Sequence, residues 1–305
     1  MKFAADINCF YGVYSIEETI DIYAAAGFET INFEFMDKCT YNGEMSVSKR
    51  KNYFTSLKKY AQDRGVSFPV THAPFPAGSK DEAENEQFFQ NIVRGIENSS
   101  YLGAEIIVVH GMDHIRYESE NGPEQLYEMN MEFYNRLEHY AEEYGLQIGI
   151  ENLPQIQDFS DVHSFFGCYR AVGSICSTPE EMLRYLNDLN SDSFVGCLDI
   201  GHAMITGQNP ERFIRMIGGE KLKALHIHDN NGVRDMHTLP YFGGMADWDK
   251  IMEALAEIQF DGVAAYETGN FLKMLPKELY PAGVDMMAAV AKNLSGKFEK
   301  YLQIK

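Results

Sequence analysis

The sequence predicts an α/β fold, a (β/α)8 TIM barrel forming one domain over residues 1–305. Three observations predict it. Helix-like stretches alternate with eight short apolar runs, at residues 3–8, 29–35, 66–72, 105–110, 146–151, 194–199, 222–228 and 262–267. Several runs are nearly uninterrupted, such as Ile106-Ile107-Val108-Val109, as suits parallel strands buried on both faces. Each run closes on a polar residue, at the end of a barrel strand where such folds do their chemistry. The 305 residues fit one barrel, and no linker or low-complexity tract divides them.

The elements between the runs are punctuated by chemistry. Gly27, Gly65, Gly103, Gly145 and Gly219 follow helix-like segments and are read as left-handed C-caps; Gly262 precedes the last strand. Ser15 with Glu18, and Thr178 with Glu181, form capping boxes, the second with Pro179 at the first helical position. Asn209-Pro210 and Asp247-Trp248 read as further N-caps. Between Glu151 and Thr178 the chain shows no helix signal but contains Phe159, Phe165, Phe166, Tyr169 and Arg170. A connection of that length reads as an aromatic lid over a site.

Composition narrows the partners. With 45 acidic and 26 basic residues the formal charge is −19, which opposes binding to nucleic acid or an anionic membrane and suits a small-molecule substrate. The five cysteines (Cys9, Cys39, Cys168, Cys176 and Cys197) form no CxxC pair, which fits a reducing compartment. No secretory signal or bilayer-spanning run is visible, so the expectation is a cytoplasmic protein with no membrane partner. A homo-oligomer is compatible with the sequence.

The residues closing the eight runs are Asn8, Glu34, His72, His110, Glu151, Asp199, His226 with His228, and Glu267. Four of the nine histidines fall here, and His202 follows Asp199 by three positions. A barrel brings all strand ends to one mouth, so this convergence predicts a divalent-metal site. Carboxylates and imidazoles without thiolate suit Mn2+, Mg2+, Co2+, Zn2+ or Fe2+.

The segments His72-Ala73-Pro74-Phe75, Val109-His110-Gly111, Ile150-Glu151-Asn152, Leu198-Asp199-Ile200-Gly201-His202, His226-Ile227-His228-Asp229-Asn230 and Tyr266-Glu267 resemble the xylose isomerase-like superfamily over essentially the whole chain. That superfamily includes sugar phosphate isomerases and epimerases, ketose 3-epimerases, inosose-processing enzymes and type IV apurinic endonucleases. The resemblance implies one metal held by Glu151, Asp199, His226 and Glu267, with His226 preferred to His228 because it lies three residues before Asp229. It implies a sugar, sugar phosphate or polyol isomerase or epimerase. In such enzymes the metal polarises adjacent substrate oxygens and stabilises an enediolate, while Glu151 and Glu267 act as base and acid. Asn8, Glu34, His72, His110, His202, His228, Asp235 and His237 would then be substrate contacts.

Two departures count against ketose 3-epimerisation specifically. Gln157 stands where those epimerases carry a second glutamate, and Gly232 where they carry an arginine, with Arg234 nearby. A metal-dependent lyase or dehydratase on a keto-sugar or inosose is one alternative. A non-catalytic subunit is another, opposed by the intact pair Glu151 and Glu267. The endonuclease branch is a third: its trinuclear zinc ligands match His72, His110, Glu151, Asp199, His202, His226, Asp235, His237 and Glu267, although the net charge opposes DNA binding. Asn230-Asn231-Gly232 and Thr268-Gly269-Asn270 are weak phosphate-loop candidates with no lysine beside them, so the substrate is expected to be unphosphorylated.

Overall fold

The structure, a computed structural model, describes residues 1–157 and 170–304. Eight parallel strands close into a barrel: β1 (Lys2–Asp6), β2 (Thr30–Glu34), β3 (Ser67–His72), β4 (Ile106–Val109), β5 (Gln147–Glu151), β8 (Phe194–Asp199), β9 (Leu222–Ile227) and β10 (Val263–Tyr266), which pairs back onto β1. Two further strands, β6 (Pro154–Gln157) and β7 (Arg170–Gly173), form an antiparallel hairpin outside it.

The outer ring consists of α1 (Ile16–Ala25), α2 (Val47–Gln62), α3 (Glu82–Leu102), α4 (Gly122–Tyr144), α5 (Pro179–Leu189), α7 (Pro210–Lys221), α8 (Trp248–Glu257) and α10 (Tyr280–Gln303). Short helices α6 (Ile200–Ile205) and α9 (Gly269–Lys273) follow β8 and β10 at the mouth. Both capping boxes form, and Asn209 and Asp247 cap α7 and α8. No helix among the described residues is long and apolar enough to cross a membrane.

Strand periodicity positions the site. Inside the barrel a compact cluster of Ala4, Val70, Ile106, Val108, Val195, Cys197, Ala224, Val263 and Ala265 is buried. A larger apolar layer lies between sheet and helices. Successive side chains alternate between these two spaces. Two residues past the inward core positions come Asp6, His72, His110, Asp199, His226 and Glu267, and by the same parity Glu34 and Glu151. The polar ring is therefore the top layer of the barrel interior.

Two expectations are corrected, and a third rests on residues outside those described. The first strand ends at Asp6, and Asn8 lies in a 3-10 turn, Ile7–Phe10, because the Asp6 carboxylate accepts from the Asn8 backbone N–H at 2.7 Å and turns the chain. No left-handed cap forms at Gly219; the positive-φ residue is Gly218 (φ 75°), at a kink inside α7. Gly219 is needed for close approach, since a Cβ there would lie 2.2 Å from the Ile258 carbonyl oxygen. The long connection contains the β6–β7 hairpin, in which Gln157 pairs with Arg170; Phe159, Phe165, Phe166 and Tyr169 lie outside the described residues.

Candidate metal centre

The mouth holds a pocket of about 390 Å³, within the range for small-molecule sites. Its lining includes Asp6, Asn8, Glu34, His72, His110, Glu151, His202, Asp235, His237 and Glu267. The His226 Nδ1 atom is the focus of the innermost group. It stands 3.2 Å from Glu151 Oε1, 3.1 Å from Glu267 Oε1 and 3.9 Å from Asp199 Oδ2. His226 is fully buried, yet this nitrogen makes no hydrogen bond. Leaving a buried polar atom unpaired is costly unless something else binds it. Donors about 2.0–2.2 Å from a shared ion stand roughly 3.0–3.5 Å apart in octahedral or tetrahedral geometry. Most of these spacings match that, so the residues fit a divalent cation.

Two outer groups share the pattern. His72 Nε2 and His110 Nε2 are 3.1 Å apart and stand 3.6 and 3.1 Å from Glu151 Oε2. Across the mouth, Asp235 Oδ2 lies 3.5 Å from His202 Nε2 and 2.9 Å from His237 Nε2. The orientation of three of these rings is set from behind. His72, His202 and His237 each place Nδ1 against a backbone carbonyl, of Ala73 (2.9 Å), Asn152 (3.0 Å) and Glu267 (2.9 Å). A carbonyl only accepts, so Nδ1 carries a proton and Nε2 faces inward, the atom that would offer its lone pair to a bound metal.

The sequence reads His228 as a substrate contact. It is fully buried and lies outside the pocket lining. Its Nε2 stands 3.1 and 3.2 Å from the two Asp199 carboxylate oxygens and 3.6 Å from Asp235 Oδ1. This packing demands a glycine at position 201, where a Cβ would fall 1.9 Å from His228 Cε1. Asp199 also caps α6, accepting from the His202 N–H at 2.6 Å, and Asn152 brackets the Asp199 backbone from both sides.

Charge is distributed unevenly. Burial alone would raise the Glu151 pKa, but the imidazoles of His226 and His110 outweigh it and hold the carboxylate well below its usual range. Burial drives Glu34 the other way, up to about 8, reinforced by Asp6 and Glu267. Asp6 rises to about 6, chiefly through burial. The Asn8 side-chain N–H donates to Glu34 Oε2.

A Glu34 held protonated in the fold but free to ionise when unfolded makes stability fall as pH rises. The contribution is complete below the unfolded value of 4.5 and is lost on the way up to about 8. In chelator-treated protein, the melting temperature is therefore expected to decline over that window, and Glu34→Gln to flatten the decline. An unchanged slope in the variant would contradict this.

Sequence reasoning missed Asp6 and Lys273. Inward parity from Ala4 was the available signal for Asp6. Lys273 is the one lysine or arginine among the described pocket residues, although the sequence showed no lysine beside the loop at Thr268–Asn270. The short helix α9 turns it back toward the mouth.

Comparisons with known proteins agree with this fold. The family model described as xylose isomerase-like TIM barrel matches residues 20–290. An uncharacterized protein of Methanocaldococcus jannaschii, MJ1311, is 31% identical over 207 residues, covering 66% of this chain and 64% of that relative. The chain thus spans just under two thirds of that relative's length. A probable endonuclease 4 of Bacillus licheniformis is 24% identical, over 78% of this chain and 76% of its own. Among solved structures, a D-tagatose 3-epimerase-like protein superposes with TM-score 0.73 at 25% identity, covering 98% and 99% of the two chains. The IOLI protein with a bound zinc atom superposes with TM-score 0.71 at 20% identity, covering 99% of each, and shares the fold.

Proposed function

The chain belongs to the xylose isomerase-like TIM barrel family, and from that membership we propose that it is a divalent-metal-dependent sugar isomerase or epimerase. The carrying observation is the convergence of Glu151, Asp199 and Glu267 on one unpaired His226 nitrogen. When bound, the ion acts as a Lewis acid toward adjacent hydroxyl and carbonyl oxygens of the substrate.

The chain's own residues do the rest. Glu151 and Glu267 come from β5 and β10, separated by two strands of the barrel, and flank the pocket. One takes the proton from carbon as base and the other returns a proton as acid. The histidines around Glu151 hold it ionised, the state in which a carboxylate can accept a proton. Phe75, 58% exposed and stacked on His110 at 5.3 Å, offers an apolar face to sugar C–H groups and helps exclude water.

The test is solvent exchange. Ketoses incubated with metal-loaded enzyme in D2O are expected to take up deuterium at carbon, and Glu267→Gln to slow this by about 10²–10⁴-fold. Turnover without any exchange, or exchange unaffected in the variant, counts against the reading.

The two outer donor groups favour a second reading, a multi-metal phosphodiester hydrolase. His72, His110 and Glu151 form one such group, and His202, Asp235 and His237 with His228 another. The net charge of −19 opposes it. Incision of abasic-site duplex at catalytic enzyme levels would favour the second reading over the first.

A further inference from the structure

Beside the catalytic pocket, between the loops after β1 and β2, lies a second hollow. Asn8 and Glu34 line both spaces, so the two adjoin through these side chains. The hollow measures about 50 Å³. That is a third of the roughly 150 Å³ that accommodates benzene, and room for one or two carbons. Phe10, Tyr14, Phe33, Phe35, Met36 and Tyr53 supply much of its wall.

Three polar residues in the wall are already satisfied. The Thr19 hydroxyl donates to the Ser15 carbonyl at 2.9 Å, and the Thr40 hydroxyl to the Asp37 carbonyl at 2.7 Å. The Asp37 carboxylate accepts from the Cys39 N–H and S–H, each at 3.1 Å. Asn8 is the contrast. Its amide N–H donates to Glu34, but its Oδ1 is buried without a partner. The slot is thus largely apolar inside and polar at its threshold, with the hydroxyls of Tyr11, Tyr14 and Tyr53 the remaining polar groups of its wall.

We propose that this slot receives a small apolar end of the substrate, and that the substrate is a terminal deoxyketose whose methyl group enters it. This rests on the sugar isomerase or epimerase reading. The carbon bearing the methyl keeps a hydroxyl at the threshold, beside the Asn8 and Glu34 side chains that line both spaces. A terminal hydroxymethyl would instead bring a hydroxyl among aromatic rings, where an unpaired polar group is penalised.

Two measurements test this. In the first, 6-deoxyketohexoses are compared with their 6-hydroxy parents in both D and L series, using metal-loaded enzyme. The deoxy member is expected to have the higher kcat/KM by about 10- to 100-fold. Met36→Trp and Ile16→Phe, at partly exposed positions of the slot wall, are expected to bring that ratio toward one. Equal or lower kcat/KM for the deoxy member in every pair that turns over, or a ratio unmoved by both variants, overturns the proposal. In the second, xenon-pressurised crystals are expected to show xenon in the slot; ordered water there instead overturns the apolar slot itself. Xenon bound with no turnover of any pair would instead overturn the isomerase reading and the deoxyketose with it, so the two failures are distinguishable.

Discussion

Replacing Glu151 by glutamine is expected to lower turnover at least about 10³-fold and to remove bound metal. Glu151 serves two donor groups, one with His72 and His110 and one with Asp199 and His226. Its Oε1 faces His202 Nδ1 at 3.3 Å and His226 Nδ1 at 3.2 Å, and its Oε2 faces His110 at 3.1 Å and His72 at 3.6 Å. The side chain is 1% exposed, so water cannot substitute for a lost oxygen. Glutamine keeps the shape but places N–H protons where a ligand must offer a lone pair. It also deletes the negative charge that offsets four imidazoles. Metal content and exchange rate should fall together. A variant retaining full metal and activity within tenfold of the parent would contradict the assignment.

Asp229→Ala is expected to destabilise the protein by about 3 kcal/mol or more. The Asp229 side chain is buried and accepts from the Trp248 indole N–H at 2.8 Å, the Asn230 N–H at 2.9 Å and the Ala246 N–H at 3.1 Å. These bonds tie both ends of the loop 229–247 to one carboxylate. Gly244 lets the loop pass so close that a Cβ there would lie 1.8 Å from Asp229 Oδ1. Asp235 and His237 ride on this loop, so the variant should also weaken the donor group they form with His202. Urea denaturation measures the first effect. Metal titration of the folded variant measures the second. A loss below about 1 kcal/mol would show that the loop is held by other contacts.

The barrel was legible because two signals agree along the chain. Apolar runs such as Ile106–Val109 mark strands, and caps such as Ser15 and Thr178 mark helix starts. The site was legible because strand ends converge in a barrel, so residues as distant as His72 and Glu267 needed no local motif to be linked. What escaped has a physical reason. Asn8 was assigned to β1 because a carboxylate cap at Asp6 is invisible to hydrophobic pattern. The β6–β7 hairpin escaped because it pairs with itself outside the barrel and its strands have only four residues each. His226 and His228 share one inward face, so parity alone could not separate a ligand from its support. In the structure His228 packs against Asp199 and Gly201, while His226 Nδ1 faces Glu151 and Glu267.

The central claim is that Glu151, Asp199, His226 and Glu267 hold a divalent cation. Elemental analysis of protein purified without chelators tests it most directly. At least one tightly bound equivalent of Mn, Mg, Co or Zn is predicted, lost on replacing His226 by alanine, with up to three if the outer groups also fill. Protein that emerges metal-free, and takes up none of these ions on titration, would contradict the account.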